Sequence, residues 1–318
     1  MAHNPKRLSR LRAVMGEQGI DVLYVRELSN ISWATGFERV FDDEPAHALV
    51  VSARNCVLHT DSRYFDAMKS AAADADIEVD NSRMAHSAVL AKVSDCIDGD
   101  IVRVGIEDSM PLAEYRALQR TFEGRAIDLV ELSGFVEELR QVKDESEITA
   151  MRKAQSITDA AFANIIAFMK PGMTEREVQL QLDRYMYEGG AEGLAFGTIV
   201  ATGAHAASPH AIPGETKLAF GDAVVVDFGA RYAGYCSDMT RTVFVGEPSD
   251  EARRAYGAIR RANEECEAML RAGLSGADVH QHAEAVLEEE GFGGAMGHSL
   301  GHSVGIDIHE APNLSPRN

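Results

Sequence analysis

Residues 221–246 read GDAVVVDFGARYAGYCSDMTRTVFVG, and this pattern predicts two strands joined by a glycine-containing turn. The first strand, 221–229, is an apolar run with Asp227 near its end, and the second, 239–245, follows directly after Asp238. Such a hairpin would bring the two carboxylates, which are eleven residues apart, close together. Close carboxylates repel each other, so they need a shared cation or a shared proton. Acidic residues at strand ends are common, so the pair alone does not establish a site.

Four histidines add to the indication of a functional site. Three of the 11 in the chain lie in the glycine-rich segment 297–310, GHSLGHSVGIDIHE, and they are His298, His302 and His309. The fourth, His210, lies in the tetrapeptide SPHA. Because glycine lets the backbone approach a site closely, histidines in such a segment are candidates for chemistry.

The remaining histidines are predicted to have no functional role. His280 and His282 lie on a predicted helix rich in Ala and Glu, and both are expected to be solvated. His205 is expected in a loop. Surface or satisfied core positions are predicted for His3, His47, His59 and His86.

The first part of the chain predicts a small layered α/β domain over residues 1–135. The predicted strands are Val22–Val25, 48–51, Cys56–His59 and 101–106, and the predicted helices begin at Pro5 and cover 64–73 and 87–93. This part of the sequence contains no glycine-rich phosphate loop and no nucleophile elbow. It is therefore interpreted as a structural or oligomerising domain.

A long helix is predicted to open a second domain over residues 140–318. Apolar residues recur every three or four positions between 148 and 168, and a Pro-Gly pair ends the run. Thr174 and Glu177 then form the signature of a capping box, which predicts a second helix directly afterwards.

The composition excludes several classes of function. The chain has 318 residues, 45% hydrophobic and 25% charged, with a net charge of −19, which is typical of a globular protein in water. The acidity disfavours a nucleic-acid partner, because phosphate binding relies on clustered Lys and Arg. No apolar stretch is long enough for a membrane span. The four cysteines are widely separated and form no CxxC pair, which predicts reduced thiols. The sequence begins with a charged segment rather than an apolar leader, so a cytoplasmic protein is expected.

These motifs together resemble the creatinase/prolidase/aminopeptidase P family, the "pita-bread" metallopeptidases. The resemblance is carried by the segment with Asp227 and Asp238, by SPHA and by GHSLGHSVGIDIHEAP. It extends to NISWATGF (30–37), HTDSRYF (59–65) and KDESEITAMRKAQSITDAAF (143–162). It implies an α/β fold class in which a small creatinase-like amino-terminal α/β domain precedes a pita-bread α+β catalytic domain.

The resemblance also implies a metal site. Asp227 matches the aspartate that chelates one metal, Asp238 the aspartate that bridges two, and His302 the histidine ligand. The implied cofactors are two divalent ions, Mn²⁺ first and Co²⁺ or Zn²⁺ as alternatives. A donor set of carboxylates with one imidazole is oxygen-rich and suits Mn²⁺.

The activity implied is hydrolysis of the peptide bond that precedes proline, through a metal-activated hydroxide. His210 and His309 match histidines that contact the substrate and stabilise the tetrahedral intermediate, and His298 matches a further histidine of the site. The expected substrate is a peptide with proline at the second position, and the sequence does not choose between an Xaa-Pro aminopeptidase and an Xaa-Pro dipeptidase. Family members are commonly dimers or tetramers, and a homodimer is expected here, with no nucleic-acid or membrane partner.

The sequence departs from the family pattern after the His-Glu pair at 309–310. Family members carry two further metal-binding glutamates downstream, and neither can be assigned in residues 311–318, so the catalytic domain is expected to be C-terminally incomplete. This leaves open a catalytically impaired or non-catalytic relative that acts as a binding or scaffold module. A creatinase-like amidinohydrolase is disfavoured by the two aspartates, and a methionine aminopeptidase by the preceding α/β domain.

Overall fold

The computed structural model describes residues 5–42 and 44–317, and the chain divides into two compact units. The first unit ends at Val142 and the second begins at Lys143. The helix Phe135–Gln141 falls at the predicted seam. It belongs to the first unit, because Asn30 donates to Glu137 and accepts from Arg140, at 2.7 Å in both hydrogen bonds.

The first unit is a mixed sheet with helices around it. Its strands are β1 (Val22–Val25), β2 (Ala48–Ser52), β3 (Cys56–His59), β4 (Glu78–Asp80), β5 (Val102–Glu107) and β6 (Ile127–Leu132). Its helices are α1 (Pro5–Glu17), α2 (Leu28–Thr35), α3 (Phe65–Ala71), α4 (His86–Ser94), α5 (Leu112–Phe122) and α6 (Phe135–Gln141). The strand order is β4-β3-β2-β1-β5-β6, with β2 antiparallel to both neighbours and the other pairs parallel.

The predicted strands of this unit are confirmed to within one residue at each end, whereas α2, β4, α5, β6 and α6 were not predicted. The pattern of apolar residues did not predict α2, because most of this helix is buried, including Asn30, Ile31 and Trp33. It therefore lacks the separate apolar and polar faces on which such a prediction relies. The apolar positions of α5 recur at helical spacing, so its sequence does carry the pattern of a helix.

The second unit combines two pairs of helices with short antiparallel sheets. Its helices are α7 (Glu145–Phe168), α8 (Glu175–Glu188), α9 (Asp250–Met269) and α10 (Gly276–Glu289). Its strands are β7 (Gly193–Leu194), β8 (Ile199–Thr202), β9 (Ala223–Phe228), β10 (Ala230–Tyr232), β11 (Tyr235–Cys236), β12 (Met239–Phe244), β13 (Gly301–Ser303) and β14 (Glu310–Leu314). Strands pair in the orders β12-β9-β8, β11-β10-β7 and β13-β14.

Local sequence explains the helices of this unit. Asp144 and Glu147 form a capping box at the start of α7, and the predicted box of Thr174 and Glu177 is confirmed at the start of α8. The apolar faces of α7 and α8 form a core with the inner face of β9, while α9 and α10 bury a separate cluster around Ala262. Across residues 5–42 and 44–317, no helix combines the length and the apolar composition that a membrane crossing requires.

Candidate metal centre

The predicted antiparallel pairing is confirmed for β9 and β12, although β10 and β11 form where a simple turn was predicted. Strand alternation turns Asp227 away from the core. Val224, Val226 and Phe228 of β9 are fully buried, and Asp227 lies between the last two on the opposite, half-buried face. β9 pairs antiparallel with β12 so that Asp227 lies across from Thr240. The hydroxyl of Thr240 donates to Asp227 Oδ1 at 2.7 Å, which orients the carboxylate.

Asp238 is positioned by its buried neighbour Ser237. The Ser237 hydroxyl accepts from the backbone N–H of Ala230 at 2.9 Å, and it lies 2.7 Å from the hydroxyl of Thr158 on α7. The backbone N–H of Ser237 also donates to the carbonyl oxygen of Ala230 at 2.9 Å. Gly229 completes this arrangement, because a Cβ atom there would overlap the Ser237 carbonyl oxygen.

Backbone hydrogen bonds bring the histidine segment alongside this hairpin. The N–H of Cys236 donates to the carbonyl oxygen of Gly305 at 2.7 Å, and Arg231 Nη1 donates to that of Ile306 at 3.1 Å. Farther along, Glu310 is anchored by Lys143 Nζ at 2.8 Å, and both side chains are largely buried. The segment 301–310 is thereby fixed at two places.

His302 meets the hairpin through its Nε2 atom. This nitrogen lies 3.4 Å from Asp238 Oδ2, and the ring packs edge-on against the ring of His309 with centroids 4.4 Å apart. His302 Nδ1 lies 3.1 Å from the carbonyl oxygen of Ser303. A carbonyl oxygen can only accept, so Nδ1 carries a proton and donates to it, and Nε2 is the ring atom that faces the carboxylate.

The electrostatics of the two aspartates favour a bound cation or proton. Burial raises the pKa of Asp227 above its ordinary value, opposed by the Thr240 hydrogen bond and by the charges of His302 and His210. Burial also raises the pKa of Asp238, and the charge of Asp227 raises it further. Ionising both carboxylates without a counter-charge is therefore unfavourable in this unit.

The six predicted site residues differ in how closely they approach one another. His210 is exposed and close enough to Asp227 to affect the pKa of that carboxyl, and His309 is in ring contact with His302. His298 is exposed, and its Nδ1 atom bonds to the carbonyl oxygen of Ser299 at 2.8 Å. Its role stays a prediction.

The ligand set also stays a prediction. Within residues 5–42 and 44–317, no group of three or more His, Cys, Asp and Glu side chains lies close enough to hold a metal ion. The donor chemistry nevertheless fits a divalent cation. The half-buried carboxylate of Asp238 lies beside an imidazole whose other nitrogen donates to a backbone carbonyl, which leaves Nε2 free to ligate, and Asp227 is close enough to raise the pKa of Asp238.

Sequence reasoning missed side chains that support the site and misplaced one histidine. Thr158 and Ser237 carried no sequence signal, because their contact joins positions 79 residues apart. His205 lies in a single 3₁₀ turn, where its ring bonds to the buried carboxylate of Glu175. The prediction that His280 is solvated is wrong: the residue is only 4% exposed, and its ring accepts from the backbone N–H of Leu300.

Comparison with known proteins gives the family. Residues 149–318 match the model of metallopeptidase family M24, and residues 7–142 match the creatinase/prolidase N-terminal domain. The uncharacterized peptidase YqhT of Bacillus subtilis is 33% identical over 314 residues, which cover 98% of this chain and 85% of the relative.

Solved structures agree. The Xaa-Pro dipeptidase from Bacillus anthracis is 33% identical with a TM-score of 0.88, covering 98% of this chain and 85% of that one. For the X-Pro aminopeptidase from Thermotoga maritima the identity is 33% and the TM-score 0.84, over 98% of this chain and 86% of that one. These matches confirm the predicted order of a creatinase-like domain and a pita-bread domain. The chain is a metallopeptidase that belongs to family M24 and carries a creatinase/prolidase amino-terminal domain.

Proposed function

We propose that the chain hydrolyses the peptide bond before proline in peptides that have proline at the second position. The observation that carries this proposal is the approach of His302 Nε2 to within 3.4 Å of Asp238 Oδ2, beside Asp227. The structural neighbours named above are an Xaa-Pro dipeptidase and an X-Pro aminopeptidase, and both resemble this chain over nearly its whole length.

The proposed metal ligands are Asp227, Asp238 and His302. A divalent cation supplies a Lewis acid and a nucleophilic water near neutral pH. We propose two ions, as the resemblance to the family implies. Mn²⁺ is the preferred metal because carboxylate oxygens dominate the donor set. Thr240 holds Asp227, and the Ser303 carbonyl oxygen holds His302 with Nε2 directed at Asp238.

Three further histidines are proposed to act on the substrate. The His309 ring is exposed and packs against His302, so a donor on it can reach a carbonyl oxygen bound beside the metal ligands. A hydrogen bond to the developing oxyanion stabilises the transition state. His210, near Asp227, is proposed to contact the same substrate from the loop after β8, and His298 is proposed as a further site residue.

The cellular setting is part of the proposal. We propose a cytoplasmic location, since the cysteines of the described residues are free thiols. We also propose a homodimer that pairs through the amino-terminal unit, since this unit contains none of the proposed site residues. The acidic net charge of −19 disfavours nucleic-acid partners.

Metal binding and turnover test the proposal directly. The chain, treated with EDTA and reloaded with Mn²⁺, is assayed on an Xaa-Pro dipeptide, on a longer Xaa-Pro peptide and on the same peptides with Ala in place of Pro. We expect hydrolysis of the proline peptides only, and loss of both metal and activity in Asp238→Ala. Asp159→Ala, an exposed helix position, is the matched control.

Metal binding without cleavage of any proline peptide would refute the peptidase proposal and favour a binding module. Equal cleavage of the Ala peptides would refute the specificity. The ratio of dipeptide to longer-peptide turnover distinguishes a dipeptidase from an aminopeptidase.

A further inference from the structure

The loop that carries His210 is tied to a buried carboxylate outside the proposed ligand set. Glu175, the first residue of α8, has 0% exposure. Its Oε1 atom accepts from the backbone N–H of Thr202 at 2.9 Å, and its Oε2 atom from that of Gly214 at 3.1 Å. His205 Nδ1 lies 2.8 Å from Oε1 and 3.0 Å from Oε2. The donors therefore come from both sides of His210.

The chemistry of Glu175 suits this role and is poorly replaced. A carboxylate offers only acceptors, and a buried one is tolerated only when donors surround it. The position at the start of a 14-residue helix adds favourable interaction with the helix dipole. Because both oxygens of Glu175 accept, His205 Nδ1 must be the donor, which fixes the orientation of its ring.

Hydrogen bonds continue from His205 to the residues beside His210. The backbone N–H of Ser208 donates to the carbonyl oxygen of His205 at 3.0 Å, and that of Ala211 donates to the carbonyl oxygen of Ser208 at 3.2 Å. Ala211 is buried, whereas His210 is exposed. The backbone on both sides of His210 is thus held while its ring faces outward.

We propose that Glu175 and His205 are positioning residues, a pair that fixes the loop 203–214 so that His210 is presented to the substrate. The inference rests on the proposed function of His210. It assigns a role to two polar groups that lie outside the proposed metal ligands and the proposed substrate contacts.

Substitution of His205 gives the first test, since this side chain is 35% exposed and can change without a buried vacancy. We expect His205→Ala to lower kcat/KM for an Xaa-Pro dipeptide by about 10-fold through loop displacement, with an unchanged Kd for Mn²⁺. Asn can place an N–H donor near the position of Nδ1, so His205→Asn should recover most of the loss. Failure of Asn to recover activity, or a parallel loss of Mn²⁺ affinity, would overturn the proposal.

A double-mutant cycle asks whether His205 acts through His210. If it does, His205→Ala should have almost no further effect in a His210→Ala background, because the group that it positions is gone. Full additivity of the two losses would refute the proposed route.

Hydrogen exchange tests the pair without reference to activity. Glu175→Gln should increase amide exchange over residues 203–214, whereas Glu177→Gln should not, since Glu177 is exposed and its hydrogen bonds to Thr174 lie within the capping box of α8. Should Glu175→Gln not fold, the same measurement on His205→Ala replaces it. Unchanged exchange over the loop would refute the proposal even if the wild-type chain cleaves Xaa-Pro peptides. Increased exchange in a chain without that activity would support the pair and refute only the proposed function.

Discussion

Replacing Ser237 with alanine tests whether a buried hydroxyl pair holds the hairpin that carries both proposed aspartate ligands. The Ser237 hydroxyl accepts from the Ala230 N–H at 2.9 Å and lies 2.7 Å from the Thr158 hydroxyl. In Ser237→Ala, the Ala230 N–H keeps only its longer contact of 3.2 Å to Thr158. A buried polar group that loses its partner costs about 1–3 kcal/mol, and the remaining contact places the expected loss at about 1–2 kcal/mol.

Thermal or urea unfolding of the metal-free protein measures this loss. For a unit of this size, about 1–2 kcal/mol corresponds to a fall in Tm of about 3–6 °C. Asp238 follows directly in sequence, so the affinity for Mn²⁺, measured by calorimetry, should also fall. Ser156→Ala is the control, because Ser156 is exposed on the same helix as Thr158 and its hydroxyl donates to the carbonyl oxygen of Lys153 in that helix.

A cycle with Thr158→Val separates the hydroxyl pair from simple loss of packing. If Ser237 and Thr158 stabilise each other, the double variant should be more stable than the sum of the single losses implies, by about 1 kcal/mol. Strict additivity, or a loss below about 0.5 kcal/mol for Ser237→Ala, would show that the hydroxyl pair does not hold the hairpin.

Three further changes have defined outcomes. His309→Ala should keep its Mn²⁺ while turnover falls by about 100-fold, the order seen when an oxyanion donor is removed. His302→Ala should lose the metal. Equal metal loss in both variants would contradict the assignment of His302 as a ligand and His309 as a non-ligand. Gly229→Ala should lower the free energy of unfolding by about 3 kcal/mol and weaken Mn²⁺ binding, because the added methyl group would overlap the Ser237 carbonyl oxygen. A Tm equal to that of the wild type would refute the close approach of Gly229 to Ser237. His86 has a pKa lowered to about 3, chiefly by burial, so its contribution to stability is present above pH 6.5 and is lost as the pH falls from there toward 3. The pKa shift alone corresponds to a loss of about 2 kcal/mol in the free energy of unfolding by pH 5, and partial solvent exposure of the ring reduces the expected loss to about 1 kcal/mol. If the stabilities of wild type and His86→Asn change in parallel between pH 7 and 5, this role of His86 is refuted.

Local patterns in the sequence predicted much of the fold. The run at 221–229 and the strand after Asp238 predicted the β9–β12 pair, because a strand requires only an apolar run of the right length and a turn beside it. The capping box of Thr174 and Glu177 predicted the start of α8 for a similar reason, since both partners lie within one helical turn. α2 was not predicted, because it is buried on nearly all sides and therefore lacks separate apolar and polar faces.

The sequence could not predict which polar groups support the site. Ser237 and Thr158 are 79 residues apart, and His205 lies 30 residues from Glu175. A hydroxyl or a histidine in isolation gives no sign of its partner. His280 was predicted to be solvated from its Ala- and Glu-rich helix, but it is buried and accepts a hydrogen bond from the backbone N–H of Leu300, 20 residues away.

The amino-acid sequence by itself determined the β9–β12 pair, the start of α8 and the residue types available for chemistry, because these follow from contacts between near neighbours in the chain. Only the tertiary structure decided that His302 meets Asp238, since their encounter depends on backbone hydrogen bonds such as that from Cys236 to Gly305, across 69 positions of the chain. Packing and backbone pairing over such separations are fixed by the whole fold, and no local pattern encodes them.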